Sequence, residues 1–298
     1  MELSAFEHIT KENFNLSSAC TMRTGGCAKK AFFPESVSEL CKLVDALRKE
    51  DFIVAGNASN LLFPDDAQEL YVIFTTKIVE TKKLSDNEIF ASCGVGLTSL
   101  ANFAAKEELA GLEFAFGIPG SCGGGIFRNA GAYGGELSQV VKSVSAYDTK
   151  EKKLVEFENS ECDFSYRHSI FMKNKNLLIV GATFSLTKGS REEIEALCRK
   201  NMDARKEKQP LEYPSCGSAF KRPQGHFAGK LIEDCGLKGF TVGGAQISEK
   251  HAGFVINRGG ATSADVRELM DRVTQKVYDK FGVTLCPEIE IINEKVEK

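Results

Sequence analysis

The chain has 298 residues, of which 27% are charged, and a formal net charge of −3. This length predicts one to three domains with a substantial core, and the absence of a basic excess argues against a nucleic-acid partner. The ten cysteines form no C-x-x-C pair, which excludes zinc ribbons and thioredoxin-type sites, and we expect no metal. The N-terminus shows no apolar leader, and no apolar run is long enough to span a bilayer. We therefore expect a reduced, cytoplasmic protein with buried free thiols and no membrane contact.

The first part of the chain predicts helices set among several strands. Ser36 and Glu39 have the spacing of a capping box and open a helix with apolar residues at helical intervals. Thr98 is predicted to cap a further helix. Apolar runs predict strands over 52–55, 71–75, 89–93, 140–147 and 177–186.

The composition shifts near residue 190, which is our predicted domain boundary. A strongly charged helix opens after Ser190 and is expected to bury Ile194, Leu197 and Cys198 on one face. The later predicted elements are a helix over 227–235 that stops at Gly236, a strand over 251–257, a helix over 263–281 and a strand over 283–292.

Two polar loops are candidates for binding an anion. The loop 56–60 follows a predicted strand directly, where ligands of α/β sheets collect, although an ordinary turn has the same composition. The stretch 117–136 holds eight glycines in twenty residues, so no core role is expected of it. Glycine allows consecutive N–H groups to form an anion-binding concavity; the alternative is a tight structural loop.

Both loops together can cradle the pyrophosphate of a dinucleotide. No G-x-G-x-x-G follows a strand anywhere in the chain, so a Rossmann site is excluded. Any dinucleotide must therefore be held by a different fold.

Arg167 lies in a polar segment between strands, beside Tyr166 and His168. Its guanidinium can clamp a carboxylate or a phosphate, or it can lie in a solvated loop. His168 is expected to be a structural hydrogen-bonding residue.

Two residues of the last third can also carry chemistry. Ser218 is predicted to lie in a compact turn between two prolines, and no His and Asp pattern accompanies it as in an acyl-enzyme site. Cys216 lies nearby, but no neighbour in the sequence would lower the pKa of its thiol. Glu288 lies on the final predicted strand, where it can point into a cleft or face solvent.

Taken together and in this order, these motifs resemble those of the UDP-N-acetylenolpyruvoylglucosamine reductase family, flavoproteins of bacterial peptidoglycan synthesis. The resemblance covers nearly the whole chain, and it is similar to the subtype that lacks an inserted tyrosine loop. Ala58, Gly125 and Arg128 depart from the pattern, since the family usually has glycine, a small apolar residue and methionine there. The matching segments are 56–60, 117–121, 129–136, 166–171, 217–221, 228–232, 239–257 and 287–288.

The resemblance implies an α+β chain with two functional regions. A FAD-binding region of the vanillyl-alcohol-oxidase (PCMH) type, in two α/β subdomains split near 70–80, would occupy 1–190. A smaller α+β substrate domain would occupy 191–298. The implied cofactors are non-covalent FAD and NADPH as hydride donor, and the implied partner is a nucleotide sugar; we expect a monomer.

The implied reaction reduces an enolpyruvyl ether on UDP-N-acetylglucosamine to the lactyl ether, giving UDP-N-acetylmuramate. One alternative is a sugar or hydroxyacid oxidase of the same flavin fold. Another is a non-catalytic protein that binds a flavin or a nucleotide sugar. The segments around Ser218 and Glu288 argue against the oxidase, and the presence of Arg167, Ser218 and Glu288 argues against the binding protein.

Carried over residue by residue, the resemblance implies three catalytic positions. Arg167 would hold the substrate carboxylate as negative charge develops on it, Glu288 would hydrogen-bond the same group, and Ser218 would donate a proton to the carbanion. Lys208 and Arg222 are candidates for contacting the UDP diphosphate. The implied cofactor-binding residues are Gly56, Asn57, Ala58, Ser59, Asn60, Gly117, Ile118, Pro119, Gly120, Ser121, Gly123, Gly124, Asn129, Ala130 and Gly131.

Overall fold

The structure, a computed structural model, describes residues 3–48 and 50–293. The chain divides into two compact units that do not follow a single boundary near 190. The first unit is Met1–Lys11, Phe32–Asn57 and Val72–Arg205, and the second is Glu12–Ala31, Ala58–Tyr71 and Lys206–Lys298. These units are defined by packing. The predicted regions, 1–190 for cofactor binding and 191–298 for substrate binding, are defined by the ligands they would bind. That assignment stays a prediction.

Helices and strands alternate along much of the chain. No helix within the described residues has both the length and the apolar character needed to cross a membrane. The helices are α1 (Val37–Ala46), α2 (Leu97–Lys106), α3 (Cys122–Phe127), α4 (Ile170–Lys173), α5 (Arg191–Lys208), α6 (Ala228–Asp234) and α7 (Ser263–Phe281). The strands are β1 (Thr10–Asn15), β2 (Cys27–Phe32), β3 (Phe52–Ala55), β4 (Leu61–Leu62), β5 (Tyr71–Phe74), β6 (Thr81–Lys83), β7 (Glu88–Ser92), β8 (Leu109–Ala110), β9 (Gly131–Ala132), β10 (Gly135–Glu136), β11 (Val141–Asp148), β12 (Lys153–Glu158), β13 (Leu177–Ser185), β14 (Thr187–Lys188), β15 (Ser215–Ser218), β16 (Thr241–Val242), β17 (Ala245–Ile247), β18 (Phe254–Asn257) and β19 (Glu290–Ile291).

A five-stranded antiparallel sheet forms the centre of the first unit. Its strand order is β12–β11–β13–β7–β6. Val144 of β11 pairs with Ala182 of β13, which in turn pairs with Ala91 of β7. All three residues are fully buried. Since residues paired directly across a sheet point to the same face, this row forms one wall of the core.

Helices α2 and α3 supply the apolar side chains opposite this wall. Leu97 and Leu100 of α2 and Cys122 and Ile126 of α3 belong to the same buried cluster. The expectation that the glycine-rich stretch has no core role is therefore wrong for Cys122 and Ile126. The glycines around them let this short helix pack closely while its two larger side chains fill the core.

The second unit contains a four-stranded antiparallel sheet with the order β15–β18–β17–β16. Helix α7 lies against β16 and β17 of this sheet. It begins after Thr262, whose hydroxyl accepts a hydrogen bond from the Asp265 N–H (3.0 Å), and it ends at Gly282, where φ is +66°. A separate parallel pair, β4 with β19, aligns Leu61 with Glu290.

Most predicted elements are confirmed. The strands expected over 52–55, 71–75, 89–93, 140–147 and 177–186 are β3, β5, β7, β11 and β13, each with ends within one residue of the prediction. The helix that follows Ser36 is α1, and the Ser36 hydroxyl accepts a hydrogen bond from the Glu39 N–H (3.2 Å). The helices expected near 227–235 and over 263–281 are α6 and α7, and Gly236 has the left-handed φ of +71° expected after a helix end.

The expectation of free thiols is also confirmed, because all ten cysteines are unpaired. The buried ones are Cys20, Cys93, Cys122, Cys162, Cys198 and Cys216.

The predicted buried face of α5 is wrong at Leu197, which is 43% exposed. The buried face runs instead from Ile194 and Cys198 to Asn201 and Arg205. These four residues follow one another at intervals of four, three and four, the spacing of a single helical face. Two polar side chains therefore occupy positions that an apolar pattern could not reveal.

Two predicted strands are shorter than expected. β18 begins at Phe254, because the Nδ1 of His251 accepts a hydrogen bond from the Gly253 N–H (3.0 Å) and closes a turn before the strand. The final strand is only Glu290–Ile291. Earlier in the predicted range, over 283–289, Pro287 forms only an isolated antiparallel bridge with Phe220.

Candidate active site

The loop that follows β3 lies against the start of the glycine-rich stretch, within the first unit. The side-chain amide of Asn57 donates a hydrogen bond to the carbonyl of Pro119 (2.9 Å). A Cβ atom on Gly56 would lie 2.0 Å from the Ser121 Oγ, so only glycine permits this approach. The structure thus brings together parts of the two loops that the sequence singled out.

The glycine-rich stretch contains a short helix, α3, where the sequence predicted an anion-binding concavity. Ser121 caps helix α3 by accepting a hydrogen bond from the Gly124 N–H (3.4 Å). The N–H groups of Cys122 and Gly123 donate to backbone carbonyls of the segment that joins β7 to α2, at 2.7 and 2.9 Å. Because these amides are used inside the protein, the expected concavity of consecutive free N–H groups is wrong over 122–124. Cofactor contacts of Gly123 and Gly124 stay a prediction.

Backbone amides without a protein partner lie in the loop after β3. No residue within 3–48 and 50–293 accepts a hydrogen bond from the N–H groups of Ala58 and Ser59. Ala58 has φ +45°, a left-handed conformation that glycine adopts more readily. Successive amides around a left-handed residue form the kind of nest that binds anions. The loop thus offers two consecutive amides to an anion, and alanine is accommodated in the left-handed conformation at position 58.

Two residues that the sequence analysis did not assign to the site hold the glycine-rich stretch. Thr98 does not cap α2, which begins after Gly96; its hydroxyl instead accepts a hydrogen bond from the Gly117 N–H (3.0 Å). Arg205 is buried against the same glycine, and its guanidinium lies 5.8 Å from the centre of the Tyr133 ring. Burial lowers the pKa of Arg205, but a guanidinium stays charged at neutral pH. The sequence signal for Arg205 is its helical spacing in α5, whereas no pattern points to Thr98.

Arg167 lies at the tip of a tight hairpin. The backbones of Ser165 and His168 exchange two hydrogen bonds (3.2 and 3.1 Å), which leaves Tyr166 and Arg167 as the loop residues. The φ of Arg167 is +56° and that of Tyr166 is not positive, so the left-handed residue is the second of the two loop residues, as in a type II turn. Its side chain is half-buried, and its Nη2 lies 3.5 Å from the carbonyl oxygen of Gly131. Arg167 is therefore positioned beside the glycine-rich stretch and is not a freely solvated loop residue.

The hairpin is fastened to the glycine-rich stretch by side chains. The Asn129 side-chain amide donates a hydrogen bond to the carbonyl of Ser165, the first hairpin residue (3.1 Å). The Ser169 hydroxyl donates a hydrogen bond to the carbonyl of Phe127 (2.7 Å). The Nε2 of His168 lies 3.3 Å from the Asp163 carboxylate, which confirms its predicted role as a structural hydrogen-bonding residue.

Ser218 lies on strand β15 of the second unit, not in the predicted turn. Ser215 and Ser218 face residues of β18 that are only two apart, so the strand contains a bulge. Gly217 has φ +74° at this bulge, a conformation that glycine adopts without strain. Residues two apart on a regular strand share a face, but here Cys216 is buried while Ser218 stays partly exposed.

Cys216, two residues before Ser218, has a buried and unreactive thiol. Its thiol is 3% exposed and donates a hydrogen bond to the carbonyl of Leu61 (3.4 Å). Burial raises the pKa of this thiol to about 12, so it is neither a nucleophile nor an effective acid at neutral pH. Burial outweighs the hydrogen bonds with Thr21 and Met22, which lower this pKa, so the expectation that its neighbours do not activate Cys216 is confirmed.

Glu288 lies beside the strand that carries Ser218. Its backbone N–H donates to the carbonyl of Ala219 (2.8 Å), and its own carbonyl accepts a hydrogen bond from the Asn60 side-chain amide (3.0 Å). The second unit thus brings together Ser218, Glu288 and the last residue of the loop 56–60. Both of these catalytic candidates are half-buried.

The two residues predicted to contact the UDP diphosphate lie on the surface of the second unit. Lys208 is the last residue of α5 and is exposed. Arg222 is also exposed, and its guanidinium lies 4.9 Å from the centre of the Phe227 ring. Their contact with the substrate stays a prediction.

His251 supports the strand of Ser218 through one intermediate residue. Its Nδ1 accepts a hydrogen bond from the Gly253 N–H, and the Gly253 carbonyl accepts one from the Ala219 N–H (2.8 Å). Burial lowers the pKa of His251, and the nearby Lys238 lowers it further. The imidazole therefore favours its neutral form in the folded protein.

We expect the His251→Asn variant to lose less stability in acid than the wild-type protein. In the unfolded chain the imidazole takes up a proton at roughly pH 6.5, whereas in the folded protein its protonation requires a lower pH. The contribution of His251 is thus fully present above that pH and is lost as the pH falls toward the lowered folded pKa. Asparagine can still accept the Gly253 hydrogen bond but does not titrate there. Urea unfolding across this pH range measures the difference. The exposed His226→Asn serves as control, and an unchanged pH slope in His251→Asn would contradict the prediction.

Known protein families match both parts of the chain. Residues 28–157 match the FAD binding domain family. Residues 209–292 match the family described as UDP-N-acetylenolpyruvoylglucosamine reductase, C-terminal domain.

Whole-chain relatives agree with these matches. The chain is 44% identical over 287 residues to the UDP-N-acetylenolpyruvoylglucosamine reductase of Lactobacillus helveticus, covering 96% of this chain and 95% of that protein. It is also 44% identical over 277 residues to the protein of that name in Caldanaerobacter subterraneus, covering 92% of this chain and 91% of that protein. The crystal structure of UDP-N-acetylenolpyruvylglucosamine reductase from Thermus caldophilus superimposes with a TM-score of 0.79 at 30% identity, covering 95% of this chain and 98% of that one. The chain therefore belongs to the UDP-N-acetylenolpyruvoylglucosamine reductase family.

Proposed function

We propose that this chain reduces the enolpyruvyl ether of UDP-N-acetylglucosamine enolpyruvate, with NADPH as reductant, to form UDP-N-acetylmuramate for peptidoglycan synthesis. Membership of the reductase family supports the substrate and the FAD cofactor. The structural observation that supports the proposal is the hydrogen bond from the Glu288 N–H to the Ala219 carbonyl (2.8 Å), because it pairs the chain segment of Glu288 with the strand that carries Ser218. Reduction of this double bond requires both a proton donor and a group that binds the substrate carboxylate.

The roles of the protein side chains follow from the charge that develops during the reaction. FAD, when bound, accepts reducing equivalents from NADPH and delivers them to the vinyl carbon of the substrate. The adjacent carbon then gains negative charge, which is delocalised into the carboxylate. The Arg167 guanidinium holds that carboxylate, and Glu288 hydrogen-bonds the same group. The Ser218 hydroxyl donates the proton, since a carbanion is basic enough to take it.

Charge on the surface supports recognition of the nucleotide sugar. Lys208 and Arg222 are exposed cations of the second unit, and we assign to them the contact with the UDP diphosphate. We assign contacts with FAD to residues of both predicted loops, and within the loop 56–60 the Ala58 and Ser59 amides are the candidate donors. A monomeric state and a cytoplasmic location remain our expectations for this chain.

The experiment that tests the proposal follows the flavin colour in two steps. The purified protein should be yellow, and anaerobic NADPH should bleach it. Adding UDP-N-acetylglucosamine enolpyruvate without oxygen should restore the colour with formation of UDP-N-acetylmuramate. Reoxidation by oxygen alone, with no response to the enolpyruvate, would instead indicate an oxidase of the same fold. A colourless protein that binds nucleotide sugar would indicate a binding protein.

We expect acid precipitation to release all of the FAD into the supernatant. None of the four histidines lies in the loop 56–60 or in the stretch 117–136. Cys122 is the one cysteine of those two segments, and burial raises the pKa of its thiol, so no thiolate is available there for a covalent bond. Absorbance of the supernatant and of the redissolved pellet measures the two fractions. Colour that stays with the denatured protein would show a covalent attachment.

A further inference from the structure

Asn60 lies in the loop assigned to the cofactor, yet its side chain is bonded to a catalytic candidate. Its Nδ2 donates a hydrogen bond to the carbonyl oxygen of Glu288 (3.0 Å). Its own backbone carbonyl accepts a hydrogen bond from the Glu290 N–H (2.9 Å). The two bonds bracket Glu288, and all three residues belong to the second unit.

The backbone of Glu288 is therefore held from two sides. Its N–H donates to the carbonyl of Ala219, the residue after Ser218 (2.8 Å). Its carbonyl is held by Asn60. On the N-terminal side the segment stays paired with 219–221, because Pro287 forms an antiparallel bridge with Phe220. A side-chain amide supplies the donor just before the parallel pairing of β4 with β19 begins.

Asn57, three residues earlier in the same loop, has a different partner. Its side-chain amide donates to the carbonyl of Pro119 (2.9 Å), and both residues belong to the first unit. Two asparagines of one loop thus make the same kind of bond to different segments. One joins the two predicted cofactor loops, and the other holds Glu288.

We propose that Asn60 is a positioning residue for Glu288 in the reduction of the substrate, and that Asn57 is the asparagine that serves the cofactor. This inference rests on the proposed function. Asn60 fixes the backbone of Glu288 relative to the strand of Ser218, and so fixes where the carboxyl group meets the substrate. Loss of the amide donor releases one side of that backbone while leaving the cofactor loops joined.

The test compares Asn60→Asp with the matched variant Asn57→Asp. Aspartate has the same shape, but its carboxylate oxygen repels the carbonyl that the amide contacted. In Asn60→Asp we expect unchanged FAD affinity and an unchanged rate of flavin bleaching by NADPH. Reoxidation by UDP-N-acetylglucosamine enolpyruvate should slow about 10²-fold, the effect of small displacements of reacting groups. In Asn57→Asp we expect weaker FAD binding instead. Fluorescence titration of the apoprotein gives FAD affinity, and anaerobic stopped-flow spectroscopy gives the two rates.

The pH dependence of reoxidation separates positioning from a general loosening of the fold. A protonated aspartic acid can again donate a hydrogen bond to the Glu288 carbonyl. The reoxidation rate of Asn60→Asp, relative to wild type, should therefore recover as the pH is lowered. Asn60→Ala cannot donate at any pH and should show no such recovery. Equal, pH-independent slowing of both variants would mean a structural role only and would overturn the inference.

Two other results would also overturn the inference that Asn60 positions Glu288. A loss of FAD affinity in Asn60→Asp as large as that in Asn57→Asp would return Asn60 to the cofactor site and overturn the inference. So would a wild-type reoxidation rate in both Asn60 variants. If the wild-type protein itself is not reoxidised by the enolpyruvate, the proposed function fails, and the role of Asn60 in it fails for that separate reason.

Discussion

In the Ser218→Ala variant, NADPH should still bleach the flavin at the wild-type rate, whereas reoxidation by the enolpyruvate should slow by about 10²- to 10⁴-fold. That range is typical for loss of a general acid. The fold should survive, because the removed hydroxyl is partly exposed and the bulge depends on Gly217. Substrate affinity should change little. Anaerobic stopped-flow measurement of the two half-reactions gives all of these quantities.

Two further variants make this result specific. Ser215→Ala carries the same substitution on the same strand before the bulge, and it should reoxidise at the wild-type rate. Ser218→Cys should recover part of the lost rate, because a thiol at this partly exposed position is a better acid than a hydroxyl. Cys216 is not an alternative donor, given its burial and its raised pKa. If Ser218→Ala is reoxidised as fast as the wild type, the assignment of the proton to Ser218 is wrong.

In the Arg167→Lys variant we expect a strong loss in reoxidation by the enolpyruvate and a nearly unchanged rate of flavin reduction. Lysine keeps the positive charge but loses the planar fork that binds a carboxylate with two parallel hydrogen bonds. The substrate carboxylate gains negative charge during the reaction, so the loss should appear mainly in the rate and less in substrate affinity. Rapid-mixing measurements at several enolpyruvate concentrations separate the two.

The matched control is Arg191→Lys, an exposed arginine at the start of α5 that pairs with Glu195. It should change neither half-reaction. Equal damage to both half-reactions in Arg167→Lys would mean that Arg167 serves the flavin or the hairpin of 165–168. That outcome has a structural basis, because the hairpin is bonded to Asn129 of the glycine-rich stretch.

Apolar periodicity was a reliable guide where burial alone decides structure. The strands β3, β7, β11 and β13 were predicted from apolar segments, and the helix α7 from apolar residues that repeat at the helix period. The same pattern failed at Leu197, since it counts apolar residues only. The polar Asn201 and Arg205 occupy the buried face of α5, and Asn201 donates its amide to the carbonyl of Glu113 (3.0 Å) there. A buried polar group is stable only with such a partner, and the partner is distant in the chain.

Glycine content alone misjudged the stretch 117–136. It indicated an anion-binding loop, but Ser121 begins a short helix whose first amides are bonded within the chain. Whether an N–H group is available depends on which carbonyl lies nearby. Those carbonyls belong to the segment between β7 and α2, so the sequence of the stretch could not reveal them.

The sequence by itself determined the order of the motifs around Arg167, Ser218 and Glu288. It also determined which side chains are available to react, because the chemistry of a side chain is a property of the residue itself. Only the tertiary structure decided how they are held. A bulge at Gly217 separates Ser218 from Cys216, and the amide of Asn60 holds Glu288 from 228 residues away. Hydrogen bonds depend on distances of about 3 Å. Folding sets those distances between residues that no local pattern connects.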